Sequence, residues 1–245
     1  MPSPLTLLIA IAAFATASAT AAEPDPFSQH VRPTAPLSPQ DELAALHVPP
    51  GFEIQLFASE PEINKPINMA FDARGRLWVS STVDYPFPKA PGEAGGDAIK
   101  ILSDTDGDGR ADQVTTFADG LSIPTGVLPY KSGCIAWSIP NIWFLDDTDG
   151  DGVCDKRTKL YGPLGWERDT HGMNSSSRMG FDGWVYATHG FNNETLLVGA
   201  DGNEVRMQSG HTYRIRPDGS RAEHHTFGQV NPFGLCFDSS GNLYS

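Results

Sequence analysis

The sequence predicts an all-β fold and, within that class, a β-propeller. A strand–turn–strand unit recurs along the chain at intervals of about 55 residues. The stretches between the copies show no helical periodicity. The 245 residues include 25 Gly and 20 Pro, a composition typical of a globular chain rich in turns. Apolar residues make up 39% of the chain, which is enough for a sizeable core.

The first 22 residues carry no charged side chain and predict a signal peptide. An apolar run from Leu5 to Ala15 is followed by small residues up to Ala22, the pattern of a secretory leader with its cleavage site. The run is too short to cross a bilayer, because spanning takes about 20 apolar residues. The alternative is an apolar N-terminus that frays. We expect a secreted or periplasmic protein with no membrane attachment encoded in this chain.

Net charge and cysteine spacing exclude two classes of partner. The net charge of −13 repels phosphate backbones, so we expect no nucleic-acid partner. The three cysteines include no Cys-x-x-Cys-His, so this chain does not itself attach a c-type haem. Cys134 and Cys236 lie in apolar, strand-like runs and are expected to be buried.

Residues 23–50 hold seven prolines and predict a tether. Within it, Ser38-Pro39-Gln40-Asp41 places a capping hydroxyl before a proline at the first helical position, which predicts a short helix from Pro39 to about Leu46. A half-buried strand is predicted next, from apolar residues at alternate positions: Phe52, Ile54 and Leu56.

Each repeat unit has two parts. The first, an apolar strand, an Asp/Gly turn and a second strand, begins near Pro66, Pro124, Ser177 and Pro232. The second is a pair of strands joined by an Asp/Gly loop, at 104–112, 147–155 and 217–219. Four strands per unit are typical of a propeller blade, whereas the turns of a β-sandwich come closer together. Residues 51–245 make about three and a half blades, and a ring needs about four to eight, so we expect an incomplete propeller.

Two loops share the pattern Asp-Thr-Asp-Gly-Asp-Gly-x-x-Asp. The glycine at position 6 permits a sharp turn that brings the carboxylates of positions 1, 3, 5 and 9 together with the carbonyl of position 7, as calcium requires. Position 12 is Thr115 or Thr158 instead of the Glu of an EF-hand. We therefore expect calcium loops on β-hairpins, and the alternative is a pair of solvated turns. The predicted ligands are Asp104, Asp106, Asp108, Arg110 (carbonyl) and Asp112 in one loop, and Asp147, Asp149, Asp151, Val153 (carbonyl) and Asp155 in the other.

His171 lies in a loop between repeat units together with Asp169, Asn174 and Arg178. In a propeller such a loop lies on a face of the ring, near the central channel where ligands bind. An imidazole beside a carboxylate can accept a proton from a hydroxyl group, so His171 is a candidate base and Asp169 the residue that orients it. The alternative is a surface histidine or one that bonds to main chain. His189 ends a predicted strand and is expected to pack in the core.

Five motifs occur along the chain in a distinctive combination: Pro50-Gly-Phe52, Phe71-Asp-x-x-Gly-x-Leu-Trp78, Asp104-Thr-Asp-Gly-Asp-Gly, Gly120-Leu-x-x-Pro-Thr-Gly126 and Gly228-Gln-Val-Asn-Pro-Phe-Gly-Leu235. Together they resemble a family of large exported proteins described as membrane-bound dehydrogenases of planctomycetes and verrucomicrobia. The resemblance covers residues 38–245, and it implies an N-terminal propeller followed in the complete protein by helical repeats and a c-type cytochrome domain.

That propeller is in turn similar to the glucose/sorbosone dehydrogenases, six-bladed enzymes that use pyrroloquinoline quinone and calcium. This resemblance implies that His171 is the base acting on a sugar hydroxyl and that Asn231 contacts the cofactor. The Arg that precedes this Asn in those enzymes is Val230 here, and a valine cannot pair with the cofactor's carboxylates.

Two functions are consistent with the sequence. In the first, the protein is an exported, calcium-containing, dehydrogenase-like propeller that oxidises a small sugar or alcohol. Asn174, Arg178 and Asn231 then belong to the cofactor pocket, and electrons leave through the quinone and a downstream haem domain. In the second, the propeller is a non-catalytic module that binds carbohydrate or protein.

Overall fold

The computed structural model describes residues 35–90 and 92–245, so the predicted signal peptide (1–22) and the first part of the predicted tether (23–34) lie outside the described residues. The compact unit Pro39–Ser245 contains every helix and strand described here. That unit is almost entirely β, with several antiparallel sheets and no closed barrel among the described residues, which confirms the predicted all-β class. None of the described helices is long and apolar enough to cross a membrane.

The single helix among the described residues, α1, spans Pro39–Ala45, as the capping pattern predicts. Asp41 and Glu42 lie in its first turn, where a negative charge favours the helix dipole. The strand predicted just after it is wrong. Residues 52–57 form no ladder, and the Phe52 side chain is 73% exposed. The segment has the alternating apolar pattern of a strand, but among the described residues no neighbouring strand lies in place to form a ladder with it.

Three four-stranded antiparallel sheets follow along the chain. The first consists of β1 (Pro66–Phe71), β2 (Leu77–Ser81), β3 (Asp97–Ser103) and β4 (Gln113–Leu121). The second consists of β5 (Val127–Tyr130), β6 (Gly133–Ser138), β7 (Asn141–Asp146) and β8 (Lys156–Tyr161). In both, spatial order equals chain order, so each sheet is a simple meander.

The third sheet has the same four-strand plan with a hairpin inserted in its middle connection. Its strands are β9 (Asn174–Met179), β10 (Val185–His189), β13 (Gly210–Ile215) and β14 (Ala222–Gln229). The inserted hairpin is β11 (Thr195–Val198) with β12 (Glu204–Met207). The last elements are the two-residue strands β15 (Cys236–Phe237) and β16 (Leu243–Tyr244). The four-strand units expected from the repeat are therefore present.

The meanders give every sheet two chemically different ends. The turn between the first and second strands lies at the same end as the loop between the third and fourth, because the strands are antiparallel. This end carries both Asp-rich loops, and we call it the acidic end. The opposite end carries the β2–β3, β8–β9 and β10–β11 connections, and we call it the histidine end after His171. A six-residue strand such as β9 separates the two ends by about 20 Å.

The apolar core lies between consecutive sheets. Trp78 of the first sheet packs edge-to-face on Phe117 at 4.7 Å and shares a buried cluster with Cys134 and Leu145 of the second sheet. A larger cluster joins the second sheet to the third, and a small one joins the third to β15 and β16. Cys134 is fully buried as expected, whereas Cys236 is exposed, because its two-stranded hairpin leaves one face uncovered.

Candidate functional site

The histidine loop, residues 162–173, joins β8 to β9 and holds Asp169 and His171 together. Asp169 Oδ1 accepts the backbone N–H of His171 at 2.8 Å and lies 3.1 Å from Nδ1 of the same imidazole. A short local turn therefore fixes the imidazole beside its carboxylate, as the spacing of the two residues predicts. The Asp169 side chain is 17% exposed and the His171 side chain 58%, so the carboxylate lies behind a ring that faces solvent.

Two asparagines on the β10–β11 connection hold Asp169 in place. Asn192 Nδ2 donates to Asp169 Oδ2 at 3.0 Å, and Asn193 Nδ2 donates to the Asp169 carbonyl at 2.6 Å. Asn193 is 1% exposed, and its Oδ1 accepts the backbone N–H groups of Arg168 and Asp169, each at 3.2 Å. Partial burial raises the pKa of the Asp169 carboxyl, but the hydrogen bonds from His171 and Asn192 outweigh it, so the net pKa is below the usual value. Asp169 is thus ionised at neutral pH.

The first sheet supports the other side of the imidazole through its β2–β3 loop. The rings of Tyr85 and His171 meet edge-to-face with centroids 5.2 Å apart. One residue on, the Pro86 carbonyl accepts a hydrogen bond from Thr170 Oγ1 at 2.9 Å. Burial and the charge of Asp169 both raise the pKa of the Tyr85 phenol, so it stays protonated at neutral pH.

This arrangement can accept a proton. Asp169 occupies Nδ1 of His171, and among the described residues no hydrogen-bond partner is found for Nε2. A base needs its free nitrogen accessible and its other nitrogen held by an orienting group. The Asp169–His171 pair meets both conditions, and the substrate would approach from solvent at the histidine end.

Among the three predicted cofactor-pocket residues, Asn231 is distant in sequence but lies beside the histidine loop. A Cβ placed on Gly190 would clash with both Asn231 Oδ1 and Gly172, so the Asn231 side chain adjoins the residue that follows His171. Asn174 is buried at the start of β9, where its Oδ1 accepts a hydrogen bond from the Tyr213 hydroxyl. Arg178 lies four residues further along β9, towards the acidic end, and donates to the Ser177 carbonyl at 2.9 Å.

The described residues around His171 fit pyrroloquinoline quinone poorly, because its carboxylates call for free cationic partners. Arg168 is paired with Glu194 at 3.1 Å and Lys89 with Asp84 at 3.5 Å. Lys65 donates to two main-chain carbonyls. Val230 is 76% exposed and uncharged. These side chains around His171 therefore offer the carboxylates of that cofactor no free cationic partner.

At the acidic end, the two Asp-rich loops have nearly identical geometry. One carboxylate oxygen from each of Asp104, Asp106 and Asp108 lies within 4.8 Å of the others, and Asp147, Asp149 and Asp151 form a second such cluster. Three hard oxygen donors at this spacing suit a divalent cation such as calcium.

The first aspartate of each loop organises the turn by accepting backbone N–H groups. Asp104 Oδ1 accepts from Gly107 at 2.7 Å and its Oδ2 from Gly109 at 2.9 Å, and Asp147 makes the matching bonds with Gly150 and Gly152. The hydrogen bond from Gly109 is the main cause of the lowered pKa of Asp104. For Asp147, burial raises the pKa, but the loop hydrogen bonds outweigh it, and its pKa is also lowered.

The aspartate at position 9 of each loop has a different role from the aspartates at positions 1, 3 and 5. Asp112 Oδ2 accepts from both the backbone N–H and the hydroxyl of Thr105, whereas Asp155 accepts the Thr148 N–H at Oδ1 and the Thr148 hydroxyl at Oδ2. These two carboxylates therefore close the loop and lie outside the three-residue clusters. Arg110 and Val153 donate their N–H groups to Asp108 and Asp151, each at 2.8 Å, while the ligand role of their carbonyls stays a prediction.

A cleft of about 550 Å³ opens between the first and second sheets at the acidic end. The β1–β2 turn lines one side, and the β5–β6 turn with the second acidic loop lines the other. The cleft is therefore remote from His171, at the far end of the strands.

Sequence patterns did not identify Tyr85, Asn192 and Asn193 as residues of the histidine end. Tyr85 lies in a loop whose contact with His171 spans more than eighty positions of sequence, a pairing that no local pattern reveals. The Asn192-Asn193 pair directly after His189-Gly190-Phe191 was a usable signal, because consecutive amides in a loop commonly bond neighbouring main chain.

The comparisons with known proteins place the chain in a family. A search of curated proteins gave no match. The family model described as "Domain of unknown function (DUF7133)" matches residues 38–245, which include all of the described strands, the histidine loop and both acidic loops. The chain belongs to the DUF7133 family.

Proposed function

We propose that this protein is an exported β-propeller that takes part in the oxidation of a sugar or alcohol, with His171 as the base. The single observation that carries the proposal is the Asp169–His171 pair, whose Nδ1 is held at 3.1 Å and whose ring is exposed. In an oxidation of this kind the hydroxyl proton goes to Nε2 and the hydride to an acceptor outside the described residues. The family resemblance implies pyrroloquinoline quinone as the acceptor and a c-type cytochrome as the electron partner, although the cationic side chains described around His171 are engaged elsewhere and do not favour that quinone.

The propeller arrangement is supported by the way the sheets meet. The first strands of consecutive sheets touch, β1 with β5 and β5 with β9. Asn68 Oδ1 on β1 accepts the Val127 N–H of β5 at 3.1 Å, and Thr125 donates its hydroxyl to the Asn174 carbonyl of β9. Sheets that face one another along their length and converge at their first strands are what a radial ring of blades requires. Calcium in the two acidic loops would join the third and fourth strands of the first two sheets.

A dye-reduction assay tests the oxidoreductase proposal. The purified protein, supplied with calcium and pyrroloquinoline quinone, is offered a panel of sugars and primary alcohols, and reduction of an artificial electron acceptor is followed. We expect substrate-dependent reduction that falls roughly 100-fold or more in His171→Asn, because general-base catalysis contributes that much. The rate of dye reduction should fall less in Asp169→Asn, because this variant keeps the imidazole and loses only the carboxylate that orients it.

His225→Asn is the matched control, because this exposed imidazole lies on β14 against Tyr186, away from the histidine end. It should retain full activity. Absence of reduction with every substrate, or equal rates for wild type and His171→Asn, would refute the role of His171.

The second candidate is a non-catalytic carbohydrate- or protein-binding module. It is favoured by the exposed Val230, which stands where the related dehydrogenases carry an arginine, and by the cleft at the acidic end. Binding of a sugar without any dye reduction, unaffected by His171→Asn, would support this function over the first.

A further inference from the structure

The cleft between the first two sheets contains two cationic residues without an acidic partner. Arg74 on the β1–β2 turn and Lys131 on the β5–β6 turn both line it and are exposed. Neither forms an ion pair with a described residue, whereas Arg76 nearby is bound to Asp72 at 2.7 Å. In a chain of net charge −13, two unpaired cations at one cleft indicate an anionic ligand.

The acidic residues that line the cleft are engaged within their own turns, and Asp72 is paired with Arg76. Asp147 accepts three backbone N–H groups of that loop through its two oxygens, and Asp151 Oδ1 accepts a fourth at 2.8 Å. These carboxylates therefore satisfy the loop backbone and leave Arg74 and Lys131 as the charges free to meet a ligand.

The other residues that line the cleft indicate the remaining chemical groups of its ligand. Phe71 is 67% exposed at the cleft, whereas the partly buried Tyr130 ring is covered by Lys131 Nζ at 5.0 Å. An exposed aromatic face such as that of Phe71 stacks on the apolar face of a ring. Ser103, Gln113 and Ser132 add hydroxyl and amide groups that can bond several ligand hydroxyls. A volume of about 550 Å³ admits a small molecule of one or two rings.

We propose that this cleft binds an acidic sugar, with the carboxylate held by Arg74 and Lys131 and the ring against Phe71. A guanidinium pairs with a carboxylate through two parallel hydrogen bonds, which a neutral sugar cannot reproduce. The site is independent of the oxidation proposed for His171, because it lies at the other end of the strands.

Calorimetric titration of the purified protein with glucuronate, glucose and inorganic sulfate tests the site. We expect glucuronate to bind, with affinity that falls as salt rises, and glucose and sulfate each to bind roughly tenfold more weakly or worse. The double variant Arg74→Gln/Lys131→Gln should weaken glucuronate binding roughly tenfold or more. Phe71→Ala should weaken glucuronate binding while leaving sulfate binding unchanged.

Arg206→Gln/Lys159→Gln is the matched control, because it removes the same charge from exposed positions on β12 and β8. This double variant and His171→Asn should bind glucuronate like the wild type. All the substituted side chains at the cleft are exposed, so unchanged melting temperatures are expected to accompany the loss. Equal binding of glucose and glucuronate, equal binding by the cleft variant and its control, or no glucuronate binding at all would overturn the proposal.

Discussion

The buried imidazole of His189 is satisfied only in its neutral form. It is 1% exposed at the end of β10, with Nε2 2.8 Å from the Thr195 hydroxyl and Nδ1 3.2 Å from the Ser209 carbonyl. Because Thr195 Oγ1 already accepts the Gly165 N–H at 3.0 Å, its own proton is free to bond Nε2. Nδ1 then carries the ring proton and donates it to Ser209. The packing role expected for His189 is confirmed.

His189 should make stability depend on pH between 7 and 5. Burial, followed by repulsion from His211, lowers its pKa in the folded state, so the unfolded chain binds more protons as the pH falls below about 6.5. Stability is therefore full above that pH and declines below it, by at most about 1.4 kcal/mol per pH unit. Urea unfolding at several pH values should give a flatter dependence for His189→Asn than for wild type.

A lower stability of His189→Asn at pH 7 does not affect this comparison, because the quantity compared is the slope of the unfolding free energy against pH. His224 and His225 also have lowered pKa values, chiefly from burial. Both residues are present in wild type and variant, so their contributions to the pH dependence cancel in the comparison. Identical slopes would show that His189 accepts a proton without loss of folding free energy.

At the scale of elements, the two Asp-rich loops are matched parts of neighbouring sheets. Each cluster places three carboxylates within 4.8 Å, a spacing at which their charges repel unless a cation joins them. We expect a chelator to lower the melting temperature of the purified protein and added calcium to restore it. Asp104→Asn/Asp147→Asn should melt at the same temperature with and without chelator.

Asp119→Asn serves as the control for this experiment, because Asp119 is an exposed carboxylate of β4 outside the clusters. Its melting temperature should respond to chelator as the wild type does. A wild-type melt that is the same in chelator and in calcium would contradict a stabilising cation in either loop.

Sequence patterns predicted the hairpins well where turn chemistry and apolar alternation agreed. The repeat copies at Pro66, Pro124, Ser177 and Pro232 became β1–β2, β5–β6, β9–β10 and β15–β16. The β11–β12 hairpin was missed, although its Asp201-Gly202 turn is a usual hairpin signal, because it interrupts the repeat. The strand predicted at 52–57 is not formed. Alternating apolar residues indicate which side of a strand would be buried, but a strand forms only where a neighbouring strand is available for pairing.

The candidate site was predictable only as far as its residues were neighbours in sequence. Asp169 and His171 are two residues apart, and a local turn joins them as expected. Contacts from Tyr85 and Asn192 depend on how the β2–β3 and β10–β11 connections meet, which is decided by tertiary packing. Asn174, close to His171 in sequence, begins a strand whose side chains alternate between faces, and its side chain is buried.

Across the whole molecule, buried polar groups join one sheet to the next at the histidine end. Asp97, 1% exposed at the start of β3, is the most connected of those described. Its Oδ1 accepts the N–H groups of Val83 and Asp84, and its Oδ2 accepts the Thr82 hydroxyl at 2.6 Å and the Ile123 N–H at 2.7 Å. Because Ile123 lies in the link to the second sheet, one carboxylate fixes both that link and the loop carrying Tyr85.

Removing this carboxylate should destabilise the entire unit. Asp97→Ala leaves four donors unpaired, three of them on buried residues, and each buried donor costs roughly 1–3 kcal/mol, so we expect the free energy of unfolding in urea to fall by at least about 3 kcal/mol. Asp97→Asn keeps one acceptor oxygen and should lose less. Asp119→Asn, whose side chain is 84% exposed, should change the free energy of unfolding by under about 0.5 kcal/mol. Wild-type stability in Asp97→Ala would mean that the four donors find other acceptors and that Asp97 does not hold the sheets together.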